Sequence, residues 1–311
     1  MTVISILTFV AALAFYGAAS VLFFLEVAPH KGPARPSQPG GGLRPEPPSS
    51  AARLAPKLLG AGAFGHAVYV TLASAVVHVC PVHSIHFTLS LLSITAIALY
   101  LAFRTRLRIH ALGLLVSPLG LAFLLGTFFL GAPGPAPKLS PLFIAAHVLA
   151  NLLGVALFLL AGGAAGLYLF AERRLKQKRP AKGRANLPAL DTLDRAVHRF
   201  LVLGFPLLTL GVVTGTIWAK RLEMGAPEEV LRIVLGYATW LLIAMVLLLR
   251  VAAGWRGRRA AYGTLAGLGC ALAVLGLYLV RPPPTGKRGD AAASSAPVAS
   301  VIAVTEAAGA P

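Results

Sequence analysis

Along the chain, long uncharged apolar runs alternate with short polar stretches, and each run is continuously apolar rather than apolar at every second position. Eight runs stand out: Val3–Leu25, Leu58–Cys80, Ile85–Phe103, Ala111–Ala132, Leu142–Ala171, Phe200–Ala219, Ile233–Leu249 and Ala260–Val280. About 20 apolar residues in a helix cross roughly 30 Å of hydrocarbon. A membrane strand would instead alternate over about ten residues, and an open strand leaves backbone groups unpaired in lipid. The pattern therefore predicts an all-α fold, a polytopic integral membrane helix bundle of about eight transmembrane helices. The first run differs from a signal peptide, because Met1-Thr2 supplies no basic region before it and its length exceeds the usual apolar core of about 7–15 residues. It is read as a membrane helix.

The same pattern divides the chain. Residues 1–27 hold the first transmembrane helix, and residues 28–57 read as a flexible loop rich in Pro and Gly. Residues 58–281 form a seven-helix membrane domain, and residues 282–311 an Ala/Pro/Ser-rich disordered external tail. No stretch between the runs is long enough for a soluble catalytic domain, and no repeat of fixed period is present. Within the runs, Gly204, Gly211 and Gly215 fall on one helix face, and Gly162/Gly166 and Gly263/Gly267 repeat the small-xxx-small spacing. In lipid such stripes let helix backbones approach closely. Pro118 and Pro206 lie inside runs and predict bends.

Composition changes the picture in one respect: it names the solvent. The chain is 57% hydrophobic and 12% charged, too little charge to clothe a water-soluble core of this size. That excludes an ordinary soluble enzyme. The net charge of +18 invites a nucleic-acid reading, but the basic residues are segregated between apolar blocks. Of the 28 Lys and Arg residues, 21 fall on the side reached after runs one, three, five and seven. The positive-inside rule predicts those loops in the cytoplasm and both termini outside, in a bacterial-type cytoplasmic membrane. The densest block, Arg173, Arg174, Lys176, Lys178, Arg179, Lys182 and Arg184, reads as a topology determinant touching anionic lipid heads, or as contact with a cytoplasmic protein.

Chemistry is sparse. There is no HExxH, no phosphate-binding glycine loop and no argued Ser/His/Asp set, so no catalytic constellation is found and the chain is read as a non-enzyme. Cys80 and Cys270 are far apart and form no C-x-x-C, which argues against relay chemistry and covalent haem attachment. No acidic residue is expected deep in any run, which demotes ion-coupled transport. Histidine remains. His78, His83, His86 and His147 fall at the predicted outer rim, His66 further inside the second run, and His30, His110 and His198 at the basic side. Neutral imidazole binds iron and other transition metals, and haem iron takes one or two axial histidines. The close trio His78, His83 and His86 fits either interfacial polar residues or ligands. His147 begins an otherwise apolar helix, with Asn151 one turn further on the same face, where it can orient the ring.

Several stretches resemble the cytochrome c assembly family of integral membrane proteins, with CcsA-, ResC- and CcmC-like members. The run Phe143-Ile144-Ala145-Ala146-His147-Val148 is similar to the helix bearing that family's first external haem-ligand histidine. Leu187-Pro188-Ala189-Leu190-Asp191-Thr192-Leu193-Asp194-Arg195, Gly204–Gly211 and Thr214-Gly215-Thr216-Ile217-Trp218-Ala219 resemble the run before its tryptophan-rich signature. Gly254-Trp255-Arg256-Gly257-Arg258-Arg259-Ala260 is similar to the basic turn before the last helix. The signature itself is absent: Lys220–Glu229 contains no tryptophan, Leu247–Arg250 stands where a histidine is expected, and no histidine follows His198. These departures look most like the YpjD/HemX-type branch.

The resemblance implies a haem-handling component of cytochrome c maturation that binds or presents haem at the outer face. His147 is its axial ligand, Trp218 lines the haem edge or serves as an interfacial belt residue, and a second ligand comes from His78, His83, His86 or another assembly protein. The HemX-like alternative is a non-catalytic membrane regulator or scaffold acting on a haem-biosynthetic enzyme through the basic loop.

Overall fold

A computed structural model describes residues 2–28, 50–76, 84–131, 140–177, 187–221 and 227–280. Among them run eight α-helices: α1 (Thr2–Val27), α2 (Ser50–Val76), α3 (Ile85–Phe103), α4 (Gly113–Leu130), α5 (Pro141–Lys176), α6 (Leu190–Arg221), α7 (Pro227–Ala252) and α8 (Arg258–Val280), with one 3₁₀ turn at His110–Leu112. All eight contain a stretch long and apolar enough to cross a membrane. The described residues contain no strand. The surface is turned inside out relative to a soluble protein: Phe64 and Leu142 are 73% and 80% exposed, while His66, Ser90 and Ser117 are fully buried. The protein is a multi-pass membrane helix bundle.

Helix limits differ from the apolar runs in an instructive way. α2 begins at Ser50 rather than Leu58 and carries Pro56 inside it, so the last part of the expected 28–57 loop is helical. α5 continues past Ala171 to Lys176, and α6 begins at Leu190, ten residues before Phe200. Hydropathy marks only the part of a helix that lies in hydrocarbon. Beyond it the helix continues on charged side chains spaced by one turn, Glu172–Lys176 at 2.7 Å on α5 and Asp191–Arg195 at 2.8 Å on α6. Pro118 and Pro206 both lie inside uninterrupted helices. Most of the expected flexible loop and the whole 282–311 tail lie outside the described residues, as does Cys80.

The glycine stripe of α6 faces α5, as its spacing predicts. A Cβ at Gly204 would stand 3.2 Å from Leu157 Cβ, and one at Gly211 would come within 2.5 Å of Asn151 Oδ1. Gly154 on α5 packs against Leu208 in the same seam. The two helices are antiparallel, so the contacts climb from Leu157–Gly204 through Asn151–Gly211 to His147–Gly215. Gly162, Gly263 and Gly267 likewise meet Leu268, Val246 and Phe158 of neighbouring helices, whereas nothing approaches Gly166 within 4 Å.

The first four helices pack around a polar thread in their core. Thr127 gives its hydroxyl hydrogen to His86 O (2.8 Å) and accepts from Ser90 (2.6 Å). Ser90 accepts from His66 Nε2 (2.9 Å), which leaves His66 Nδ1 to accept from the Tyr16 hydroxyl (3.2 Å). The Ser90 hydroxyl also lies 3.2 Å from Phe123 O, a second and longer acceptor for its hydrogen, so the polar atoms of the thread are all engaged, as burial in a low-dielectric interior demands. The Tyr16 ring is clamped between Gly62 and Gly120, where added Cβ atoms would lie within about 3 Å of it.

Candidate functional site

The α5–α6 seam ends in a polar cluster at the bundle end away from the basic loops. Ser140 precedes Pro141, a proline at the first helical position, where its fixed φ is already helical and no N–H is lost. One and a half turns later comes His147, half-buried. Its Nδ1 lies 2.7 Å from the hydroxyl of Thr214 on α6. That hydroxyl also lies 2.6 Å from Leu210 O. The His147–Thr214 contact joins the two helices in either tautomer of the ring: Nδ1–H donates to the hydroxyl oxygen, or the hydroxyl donates to Nδ1.

Asn151 holds the ring from below. Its amide donates to His147 O at 2.8 Å and stands 3.3 Å from both ring nitrogens. Gly211 and Gly215 supply the room. Asn151 occupies the space a Cβ at Gly211 would need, and a Cβ at Gly215 would touch His147 Cε1 at 3.4 Å. Imidazole is an axial ligand type for haem iron, and here the ring lies against the Thr214 hydroxyl and the Asn151 amide.

The remaining sequence candidates fare differently. Trp218 stands one turn beyond Thr214 on α6, nearer the helix end. His86 is half-buried in the first turn of α3, where its carbonyl anchors Thr127. His78 and His83 lie outside the described residues. Among the described residues no three His, Cys, Asp or Glu side chains gather to hold a metal ion.

Two features escaped sequence reasoning. Thr214 is a hydrogen-bonding partner of His147, and the signal was its place between Gly211 and Gly215 on the stripe that meets α5. The second is a buried ion pair at the opposite end of the bundle, whose acidic member lies before the sixth apolar run and not deep within it. Asp194 Oδ2 pairs with Arg250 Nη2, with side chains only 13% and 6% exposed. Asp194 Oδ1 also accepts the backbone N–H of Gly257 at 2.9 Å, in a turn where Gly257 has φ +62°, a conformation natural to glycine. The pair was hidden because Asp194 precedes the apolar run that marked α6. It ties together two of the separated stretches that carried the family resemblance, the one around Asp194 and the Gly254–Ala260 turn.

Residues 55–283 match the family model described as Cytochrome C assembly protein. The chain is similar to the cytochrome c biogenesis protein CcsA of Guillardia theta, 30% identical over 199 residues that make up 55% of this chain and 63% of that protein. It is also similar to the CcsA proteins of Picosynechococcus sp. (38% identical over 93 residues, 28% of this chain and 26% of that one) and Synechococcus elongatus (39% over 88 residues, 27% and 26%). The matched regions thus span less than two thirds of these relatives. No solved structure matches. With the family model covering most of the chain, seven of its eight helices included, this multi-pass membrane protein belongs to the cytochrome c assembly protein family.

Proposed function

We propose that the chain serves cytochrome c maturation by holding haem, as cargo, at the bundle end opposite the basic loops. His147 is the axial ligand in this reading, and Asn151 and Thr214 orient it. In the same reading Trp218 lines the haem edge, and a second ligand comes from His78, His83, His86 or a partner assembly protein. The charge distribution supports a cytoplasmic membrane with this end and both termini outside. In this reading the chain binds and orients the cargo and does not itself make the thioether bonds. The observation that carries the reading is the 2.7 Å contact between His147 Nδ1 and the Thr214 hydroxyl, which holds the ring at the end of the α5–α6 seam.

The test is spectroscopic. Protein purified from haem-replete cells is expected to show a Soret band that weakens in His147→Ala. A colourless protein that takes up no added haem would overturn the reading. It would favour the HemX-like alternative, a membrane scaffold for a haem-biosynthetic enzyme, which the tryptophan-free Lys220–Glu229 stretch and the lack of any histidine after His198 also support.

A further inference from the structure

The geometry points to a groove between α6 and α7 as a seat for one anionic phospholipid, its acyl chain in the groove and its phosphate at Lys220. The groove has a volume of about 370 Å³, within the ~300–1,000 Å³ of small-molecule clefts. It lies on the face of α6 opposite the His147 seam: Gly211, Thr214 and Gly215 turn toward α5, whereas Val212, Val213 and Ile217 line the groove. The inference is independent of haem.

Three observations select the occupant. The first is chemical saturation. Thr209 gives its hydroxyl hydrogen to Phe205 O (2.8 Å) and accepts Trp240 Nε1–H (2.9 Å). Thr216 gives its hydrogen to Val212 O (2.8 Å) and accepts the Tyr237 hydroxyl (2.6 Å). The hydroxyls and the indole N–H on the walls are thus spent on one another. What the groove offers along its length is hydrocarbon and aromatic surface, suited to an acyl chain and not to a polar solute.

The second observation is length. From Thr209 to Lys220 is about three turns, roughly 16 Å along α6. That is about half of the ~30 Å hydrocarbon thickness, one leaflet deep. The third is the position of charge. Lys220 is exposed and sits at the end of the lining nearest the terminus of α6, with apolar and aromatic residues below it. A cation at the head-group level above an apolar slot complements a lipid phosphate that also carries net negative charge.

The experiment is quenching of Trp240 by brominated acyl chains, with the full chain reconstituted in phosphatidylcholine vesicles. Trp240→Phe keeps an aromatic ring against Phe205, and the difference between it and the wild type isolates the Trp240 signal. Brominated phosphatidylglycerol is expected to quench that signal at about one fifth of the concentration needed for brominated phosphatidylcholine, the ratio a single interfacial lysine supplies (~1 kcal/mol). Lys220→Gln, a surface change, is expected to bring the two lipids level, and Val213→Phe to reduce quenching by both. Equal quenching by the two lipids in the wild type would overturn the proposal. So would a preference that survives Lys220→Gln, or stronger quenching by a brominated free fatty acid than by the phosphatidylglycerol.

Discussion

The imidazole of His147 on α5 and the hydroxyl of Thr214 on α6 meet at 2.7 Å across the glycine-lined seam. This contact holds the ring in one orientation, so its removal acts on any ligand bound by the imidazole. Thr214→Val keeps the side-chain shape and removes the hydroxyl. Loss of such an orienting partner costs metal sites about 10- to 100-fold in affinity. Haem titration of the purified variants is expected to show a weakening of that order for Thr214→Val and near wild-type binding for Thr214→Ser, which retains the hydroxyl. Equal binding by all three proteins would show that Thr214 does not act through the ring.

Gly211 and Gly166 give a paired test of the stripe. A Cβ at Gly211 would fall within 2.5 Å of Asn151 Oδ1 and 2.9 Å of its Cγ, so either the seam opens or Asn151 leaves His147. Overpacking of this kind costs about 1–3 kcal/mol. At Gly166 nothing lies within 4 Å, and alanine in a helix interior gains about 0.5–1 kcal/mol over glycine. Thermal unfolding in detergent is expected to place Gly211→Ala below the wild type and Gly166→Ala level with it or above it.

The spans were legible in the sequence because hydrocarbon imposes a length and a polarity that no other solvent imposes. His147 and Asn151 were legible as a pair because helical periodicity places residues four apart on one face, and Gly204, Gly211 and Gly215 as a seam for the same reason. Thr214 was not, since its contact is made across two helices and depends on the register in which they pack. Asp194 and Arg250 were missed for a different reason. A hydropathy window ends where charge begins, but a helix does not, and the first turns of α6 carry Asp194 back against α7 and the Gly257 turn.

That ion pair makes a prediction about stability. Removing one partner of a buried pair leaves an uncompensated charge, at a cost of about 3–5 kcal/mol. Arg250→Met and Asp194→Ala are both expected to lower the unfolding midpoint strongly, Asp194→Ala more so because it also frees the Gly257 N–H. The exposed Asp191–Arg195 pair, with side chains 73% and 62% accessible, is the internal contrast: Arg195→Ala is expected to cost no more than about 0.5 kcal/mol. Denaturant titration of the three variants separates the two classes.

His66 is the histidine whose role the fold assigns as structural, and its variants test that assignment against ligation. Both ring nitrogens are engaged, by Tyr16 and Ser90, and the residue is fully buried. His66→Leu strands the Tyr16 hydroxyl without an acceptor, and Tyr16→Phe strands His66 Nδ1 without a donor. Each unsatisfied buried group costs about 1–3 kcal/mol, whereas replacing both partners by apolar groups is nearly neutral. The double variant is therefore expected to be more stable than the sum of its parts, and in favourable packing more stable than either single variant. The Soret band, where one is observed, is expected to persist in His66→Leu while it weakens in His147→Ala. Additive losses would show that the Tyr16–His66 hydrogen bond is not what the core depends on. Loss of the Soret band in a folded His66→Leu protein would move the haem contact from the α5–α6 seam into the first four helices.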